Sequence, residues 1–174
     1  MIVRQAKEED AAAICNILNP IIRHSSITFT TVERTLESVS QNIRTRGPAF
    51  QVMEAHDEVA GFATYGPFRP GPGYARTAEH SIHLAPDRQG VGLGRMLMER
   101  LEQVAAAEGV HVLIAAISSS NPAAVAFHEA IGFHAVGRLP EVGFKAGAYL
   151  DLVLMQKILT PRPDSAPDTS LQPG

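Results

Sequence analysis

A run of three glycines between a predicted strand and a predicted helix constrains this chain more than any other segment. Residues 88–95 read Arg-Gln-Gly-Val-Gly-Leu-Gly-Arg, after a predicted strand at 81–85 and before a predicted helix at 96–107. Glycine lets the backbone approach a ligand closely, and the first N–H groups of a helix have no partner within the helix. The run therefore predicts an anion site, best suited to a phosphate or pyrophosphate.

The spacing of the glycines excludes two common phosphate loops. A P-loop needs Gly-Lys followed by Ser or Thr, which is absent here, and a dinucleotide loop needs a third glycine where this chain has Arg95. The pattern that fits is Gln/Arg-x-x-Gly-x-Gly, filled by Gln89, Gly92 and Gly94. The alternative is a glycine-rich turn that only ends the strand.

The remaining elements predict the fold class. We expect strands at 2–5, 49–55, 58–65, 77–85, 110–117, 133–139 and 148–157. We expect helices at 8–23, 36 to about 47, 96–107 and 121–132, and we expect the first helix to be interrupted or bent at Pro20. This order predicts an α/β fold with a mixed, mostly antiparallel central sheet and helices on both faces. Residues 1–159 form the predicted domain, and 160–174, with four prolines, a disordered tail.

Composition narrows the class of protein. The 174 residues carry a net charge of −3 and one cysteine, so we expect one cytoplasmic domain without an internal disulfide. The sequence has no basic patch that would predict a nucleic-acid partner, and it has no apolar run long enough to predict a membrane span. The first residues are typical of a strand rather than a signal peptide.

A second motif follows the buried strand. Helical geometry places Asn121, Ala124, His128 and Gly132 on one face, although Asn121 has the alternative role of a helix cap. With Phe133, these residues resemble the Asn-x-x-Ala-x-x-x-Tyr-x-x-x-Gly-Phe pattern of the GNAT N-acetyltransferases, with His128 at the tyrosine position. The glycine run likewise resembles the coenzyme A pyrophosphate loop of that family.

Further segments resemble a narrower group, the phosphinothricin and methionine sulfoximine acetyltransferases. They are Thr-Ala-Glu-His-Ser-Ile at 77–82, Tyr-Gly-Pro-Phe-Arg-Pro at 65–70 and His-Glu-Ala-Ile-Gly-Phe at 128–133. The resemblance covers about residues 1–159. It implies the GNAT fold, acetyl-CoA as the donor, direct transfer to the amine of a small amino-acid-like substrate, and a homodimer.

The resemblance also implies roles for individual residues. Glu79 is the expected base for the amine, and His128 is expected to accept a proton or to donate one to the leaving thiolate. A solvated or paired strand carboxylate and a core histidine are the respective alternatives. The backbone N–H groups at 82–84 are expected to polarise the thioester carbonyl. The expected coenzyme A contacts are Ile82, His83, Leu84, Gln89, Gly90, Val91, Gly92, Leu93, Gly94, Arg95 and Asn121.

The acceptor of such enzymes has an anionic or strongly polar end, for which arginine is suited. The expected acceptor contacts are Phe29, Arg69, Pro70, Gly71, Tyr74, Arg76, Glu79, His80 and Ser81. Plain solvation is the alternative for both arginines. The segment 70–73 and Ala148 depart from the group, which often has an arginine or an aromatic residue at these places.

Two other chemistries are not expected. His80 and His83 point to opposite faces of a strand, and no Cys or carboxylate at suitable spacing completes a metal site. Cys15 lies among apolar residues of the first helix, so a core thiol is expected rather than an acetyl-cysteine intermediate. The competing functions are acetylation of a protein N-terminus, polyamine or aminoglycoside, and non-catalytic sensing of acyl-CoA.

Overall fold

The computed structural model describes residues 1–88, 90 and 92–159. Its strands are β1 (Ile2–Gln5), β2 (Phe50–Ala55), β3 (Glu58–Pro67), β4 (Thr77–Leu84), β5 (Val112–Ser118), β6 (His134–Lys145) and β7 (Ala148–Ile158). Its α-helices are α1 (Ala11–His24), α2 (Leu36–Arg46), α3 (Leu93–Ala107) and α4 (Pro122–Ala130). The predicted order of strands and helices is confirmed, and the predicted tail at 160–174 lies outside the described residues.

The strands form one seven-stranded sheet in the order β1-β2-β3-β4-β5-β7-β6. All neighbouring strands are antiparallel except β4 and β5, which are parallel. A parallel pair needs a crossover connection, and α3 supplies it. The predicted mixed, mostly antiparallel sheet is therefore confirmed.

Helices cover both faces of the sheet, as predicted. The first helix pair, α1 and α2, buries Ile14, Val39 and Ile43 against Phe50 and Phe62 of the sheet. On the opposite face, α3 packs against the sheet with an apolar stripe, and α4 packs beside it against β5 and β6. The stripe comprises Leu93, Leu97, Met98, Leu101, Val104 and Ala105.

Two prolines interrupt the predicted elements less than the sequence indicates. The first helix continues through Pro20 to His24. The last strand pair is longer than expected, because β6 extends past the predicted end at 139 and includes Pro140. It is an edge strand, and its register shifts between Leu139 and Gly143, so no ladder hydrogen bond is required from Pro140.

Strands β4 and β5 separate partway along their length. Their pairing runs from Thr77 opposite Val112 to His80 opposite Ala115. Beyond this point β4 stays paired with β3 as far as Leu84, and β5 stays paired with β7 as far as Ser118. The facing edges of the two central strands are therefore free of each other, while their outer edges are held.

A glycine in β3 keeps the held edge of β4 in place. A Cβ atom added at Gly61 would lie 2.8 Å from the His83 carbonyl oxygen and would overlap the Leu84 side chain. Because the backbone cannot move aside without breaking the ladder, we expect Gly61→Ala to lower the free energy of unfolding by about 1–3 kcal/mol, as overpacked sites do. Thermal or urea unfolding measures this.

The matched control is Gly73→Ala in the loop before β4, since nothing lies within 4 Å of the added atom there. Its stability should stay within about 0.5 kcal/mol of the unchanged protein. Equal stability of the two variants would show that the close approach of β3 and β4 at Gly61 is absent.

Candidate active site

A cavity of about 800 Å³ opens where β4 and β5 separate. Strand residues after the last β4–β5 pair line it from both sides, and α4, the end of α1 and the chain following α1 complete its wall. It brings together many of the residues predicted for the site: Phe29, Glu79, His80, Ser81, Ile82, His83, Leu84, Gly90, Gly94, Asn121 and His128.

Other predicted residues lie elsewhere. The loop residues Arg69, Pro70, Gly71, Tyr74 and Arg76 are solvent-exposed and are not in the cavity wall, and the Arg69 guanidinium lies 5.2 Å from the Phe68 ring centroid.

In the glycine run, the Leu93 side chain is buried in the core, and Arg95 Nη2 donates to the Ala130 carbonyl over 3.1 Å. Leu93 can therefore offer a ligand only its backbone N–H group, whereas the exposed Arg95 keeps further guanidinium donors. Gln89 and Val91 lie outside the described residues.

The glycine run places the start of α3 at one end of the cavity. Gly90 and Gly92 have φ values of +77° and +85°, a region that glycine adopts without steric cost. Gly92 is the N-cap of α3 and brings no capping side chain, so the first N–H groups of the helix stay available for an anion. Gly94 lets α3 pack closely, because an added Cβ would lie 3.3 Å from the Phe127 ring.

Glu79 lies in the cavity wall just before the free segment of β4, where it is still paired with Ile114 of β5. Its side chain forms no ion pair or hydrogen bond with any described residue, and partial burial raises the pKa of its carboxyl group above the usual value. A pairing of the Glu79 carboxylate is therefore not found among the described residues, whereas the alternative of a solvated strand carboxylate stays open because Glu79 is solvent-exposed. A carboxylate without a cationic partner can accept a proton from a ligand.

Two buried imidazoles lie side by side on the α4 face of β4. The ring centroids of His80 and His128 are 5.1 Å apart, and each ring also contacts Phe133. Burial lowers the pKa of His80 to about 3, with a contribution from His128, and burial also lowers the pKa of His128. Both rings are therefore neutral near pH 7.

The hydrogen bond of His128 fixes its tautomer. Nδ1 lies 2.7 Å from the Ala124 carbonyl oxygen, which can only accept, so Nδ1 carries the proton and Nε2 carries a lone pair. No described residue pairs with Nε2, nor with either ring nitrogen of His80. His83 lies on the opposite face, where its ring is 5.3 Å from Phe62, as strand alternation predicts.

Asn121 is a helix cap, the alternative role that the sequence indicated for it. Its Oδ1 accepts a hydrogen bond from the Ala124 N–H over 3.1 Å and caps α4. The residue also lines the cavity, and its Nδ2 donates to no residue in the described part of the chain. Capping and ligand contact are therefore compatible here.

Sequence reasoning missed most of one wall, the segment that follows α1. Ile27 and Thr28 line the cavity together with Phe29. Lys145 Nζ donates to the Thr28 carbonyl over 2.7 Å, and Ser120 Oγ donates to the Ser26 carbonyl over 3.2 Å. These anchors come from distant strands, so no local pattern could have revealed them.

Neither a metal nor a membrane segment is found in the described residues. His, Cys, Asp and Glu side chains form no group of three that could hold a metal ion among residues 1–88, 90 and 92–159. In the same part of the chain, every helix is too short or too polar to cross a lipid bilayer.

Comparison with known proteins gives the class to which this fold and cavity belong. Residues 13–133 match the acetyltransferase (GNAT) family, and the chain is a member of that family.

The comparison also identifies similar individual proteins. An L-methionine sulfoximine/L-methionine sulfone acetyltransferase of Pseudomonas aeruginosa is 36% identical over 163 residues, covering 91% of this chain and 95% of the relative. A phosphinothricin N-acetyltransferase of Streptomyces coelicolor is 34% identical over 164 residues, covering 90% and 95%. A solved acetyltransferase from Salmonella typhimurium with its cofactor acetyl-CoA superposes with a TM-score of 0.89 at 35% identity, covering 97% and 98%.

These findings confirm the predicted family, fold and enzyme class. The chain is a GNAT acetyltransferase, and its relatives include the methionine sulfoximine and phosphinothricin acetyltransferases that the sequence motifs resemble. The individual residue roles stay predictions.

The position of Phe29 in the cavity wall can be tested through Gly143. A Cβ atom added there would lie 2.6 Å from the Phe29 ring, so Gly143→Ala must displace the ring. We expect kcat/KM for the acceptor amine to fall about fivefold, equivalent to about 1 kcal/mol of overpacking. Steady-state kinetics with the acceptor varied at saturating acetyl-CoA measures this.

The control is Gly137→Ala on the same strand, where nothing lies within 4 Å of the added atom. It should leave both the kinetics and the thermal unfolding temperature unchanged. If the Gly143 variant also has unchanged kinetics, Phe29 does not form part of the acceptor side of the cavity.

Proposed function

We propose that this protein transfers the acetyl group of acetyl-CoA to the amine of a small amino-acid-like acceptor such as phosphinothricin or methionine sulfoximine or sulfone. The observation that carries the proposal is the single cavity that joins the start of α3 to Glu79 along the free edge of β4. A donor thioester and an acceptor amine can meet in such a space. The names of the relatives supply the substrate class.

Acetyl-CoA is the acetyl donor. In our proposal the pyrophosphate binds the glycine run from Gln89 to Arg95 through backbone N–H groups, which suits the exposed helix start. The pantetheine arm lies along the unpaired edge of β4, where the N–H groups of Ile82 and Leu84 face the gap and polarise the thioester carbonyl. The N–H group of His83 points toward β3. Asn121 contributes from α4.

Glu79 is the proposed base. The acceptor ammonium gives a proton to Glu79, directly or through a water, and the free amine then attacks the thioester carbonyl carbon. The tetrahedral intermediate collapses, the C–S bond breaks, and the proton that the attacking nitrogen loses is taken up by the departing coenzyme A thiolate. The absence of a described ion-pair partner for Glu79 supports this role, because a paired carboxylate would be a weaker base.

His128 is the second proposed proton-transfer residue. With Nδ1–H bonded to Ala124, its Nε2 offers a lone pair, and the lowered pKa leaves the ring without a second proton near pH 7. These properties support the role of proton acceptor over that of proton donor to the thiolate.

We propose that the acceptor side comprises Phe29, His80 and Ser81 in the cavity wall, together with the loop 68–76. The loop directly precedes β4, so it lies next to the end of the strand that carries Glu79. Arg69, Pro70, Gly71, Tyr74 and Arg76 form the outer part of this side.

The protein is further proposed to be a cytoplasmic homodimer. The outer strands β6 and β7 expose large apolar side chains, among them Phe144 and Tyr149, whose rings contact each other and which are 60% and 67% exposed. A contiguous apolar surface on an edge strand favours association with a second copy.

Replacement of the base gives the central test. We expect Glu79→Gln to lower kcat about 10²- to 10⁴-fold, the usual contribution of a general base, with little change in KM for acetyl-CoA. Because burial raises the pKa of Glu79, the acid limb of kcat/KM against pH should fall above the ordinary value of 4.5. Thiol release during acetyl transfer to methionine sulfone, measured from pH 5 to 9, checks both.

Glu129→Gln on the exposed side of α4 is the matched control and should keep full activity. Unchanged transfer by the Glu79 variant would contradict its role as the base. Absence of transfer to every amino acid in a panel, with transfer to peptides or polyamines instead, would contradict the acceptor class. No transfer to any amine would favour an acyl-CoA sensor.

The proposed dimer is tested by light scattering after size exclusion. We expect the unchanged protein to have twice the monomer mass, and the double variant Phe144→Ser, Tyr149→Ser to shift toward the monomer at micromolar concentration. Val32→Ser, which removes an equally exposed side chain elsewhere, should not change the mass. A monomeric unchanged protein contradicts the dimer, and a dimeric double variant contradicts this surface.

A further inference from the structure

One arginine near the site has an unusual environment. Arg46 is the last residue of α2, and its guanidinium lies against β3. Nη1 donates to Thr64 Oγ1 over 3.0 Å, and a Cβ atom added at Gly66 would lie 3.4 Å from Nη2. The guanidinium therefore lies over Gly66 on the face of the sheet.

The charge of Arg46 has no counterion within the described residues. No carboxylate there lies within 4.0 Å of it, whereas Arg44 on the same helix pairs with Glu8 and Glu37. Burial lowers the pKa of Arg46, and the charge of Arg34 lowers it further. Arg34 has no described ion-pair partner either, so two cationic side chains share this region without an anion.

Strand register places this guanidinium beside the proposed base. Gly66 is directly opposite Glu79 in the β3–β4 ladder, and Thr64 is opposite Ser81. Directly opposite residues share one face of a sheet, with Cβ atoms about 4.5–5.5 Å apart. Arg46 Nη2 is therefore no more than about 9 Å from the Glu79 Cβ, since the added Cβ at Gly66 is 3.4 Å from it.

This separation matches the shape of an α-amino acid. Its amine and carboxylate are bonded to the same carbon, so a carboxylate on the guanidinium places the amine toward Glu79. Arg46 is not part of the cavity wall, but Glu79 is, and the neighbouring strand face extends from one to the other. A bidentate pair with a carboxylate would use donors of Arg46 that Thr64 leaves free.

We infer that Arg46 binds the α-carboxylate of the acceptor and turns its amine toward Glu79. The inference rests on the proposed function and extends it, because it names the residue that selects free amino acids. This role of Arg46 differs from the expectation that Arg69 and Arg76 bind the polar end of the acceptor. Those two arginines lie on the exposed loop outside the cavity wall.

The test compares L-methionine sulfone with its α-carboxamide, which lacks the negative charge. We expect the unchanged protein to prefer the acid, and Arg46→Met to lower kcat/KM for the acid about 10- to 150-fold, the value of a hydrogen bond to a charged group. For the amide, kcat/KM should change less than about threefold. The preference for the acid is then lost in the variant.

Two variants separate charge from structure. Arg44→Met removes an arginine of the same helix that is paired away from the site, and it should keep the acid preference. Thr64→Val removes the hydrogen bond that holds Arg46, and it should reduce the acid preference less than Arg46→Met does. If the methionine variant does not fold, as judged by thermal unfolding, Arg46→Lys replaces it, and a loss on the acid alone is again expected because a lysine cannot make the bidentate pair.

The outcomes distinguish this inference from the proposed function. Equal losses on acid and amide, or an unchanged protein that acetylates both equally well, overturn the role of Arg46 and leave acetyl transfer to small amines intact. If the unchanged protein acetylates neither compound nor any other free amino acid, the proposed acceptor class fails, and the role of Arg46 fails with it.

Discussion

The hydrogen bonds between β4 and β5 end at His80 and Ala115, and the cavity exists because they end there. Beyond that point each strand is held only on its outer side, β4 by β3 and β5 by β7. Backbone N–H and C=O groups that face the gap are strong hydrogen-bonding groups without strand partners. A ligand that lies between the strands can satisfy them, which is the physical basis for the proposed coenzyme site.

The separation of the strands also brings two faces of the sheet into one space. Adjacent residues of a strand point to opposite faces, so Glu79 and His80 would be separated by a closed sheet. At the inner end of the gap, where both are still paired with β5, the two residues line the same cavity. A carboxylate with a raised pKa on one face and a neutral imidazole pair on the other are thereby available to one substrate. Proton transfer in the proposed reaction depends on this arrangement.

Local signals in the sequence predicted most of the fold and about half of the site wall. Turn glycines, caps and apolar periodicity depend on neighbouring residues, so the order of elements, the glycine run and the α4 motif could be recognised directly. Phe29 was expected at the site and lies in the cavity wall, whereas Ile27 and Thr28 beside it were not expected there, since their anchor is Lys145, far away in the chain. The loop arginines were chosen by their proximity to Glu79 in sequence, and the loop stays exposed outside the wall.

The sequence by itself determined the family, the glycine-led start of α3 and the alternation that sets Glu79 and His80 on opposite faces, because these are properties of short segments. Only the tertiary structure decided where β4 leaves β5 and which charges have no partner. Arg44 and Arg46 are two residues apart on one helix, yet one pairs with carboxylates and the other lies over Gly66. That difference arises because residues two apart on a helix do not share a face, and the packing of α2 against β3 decides which of them meets the sheet.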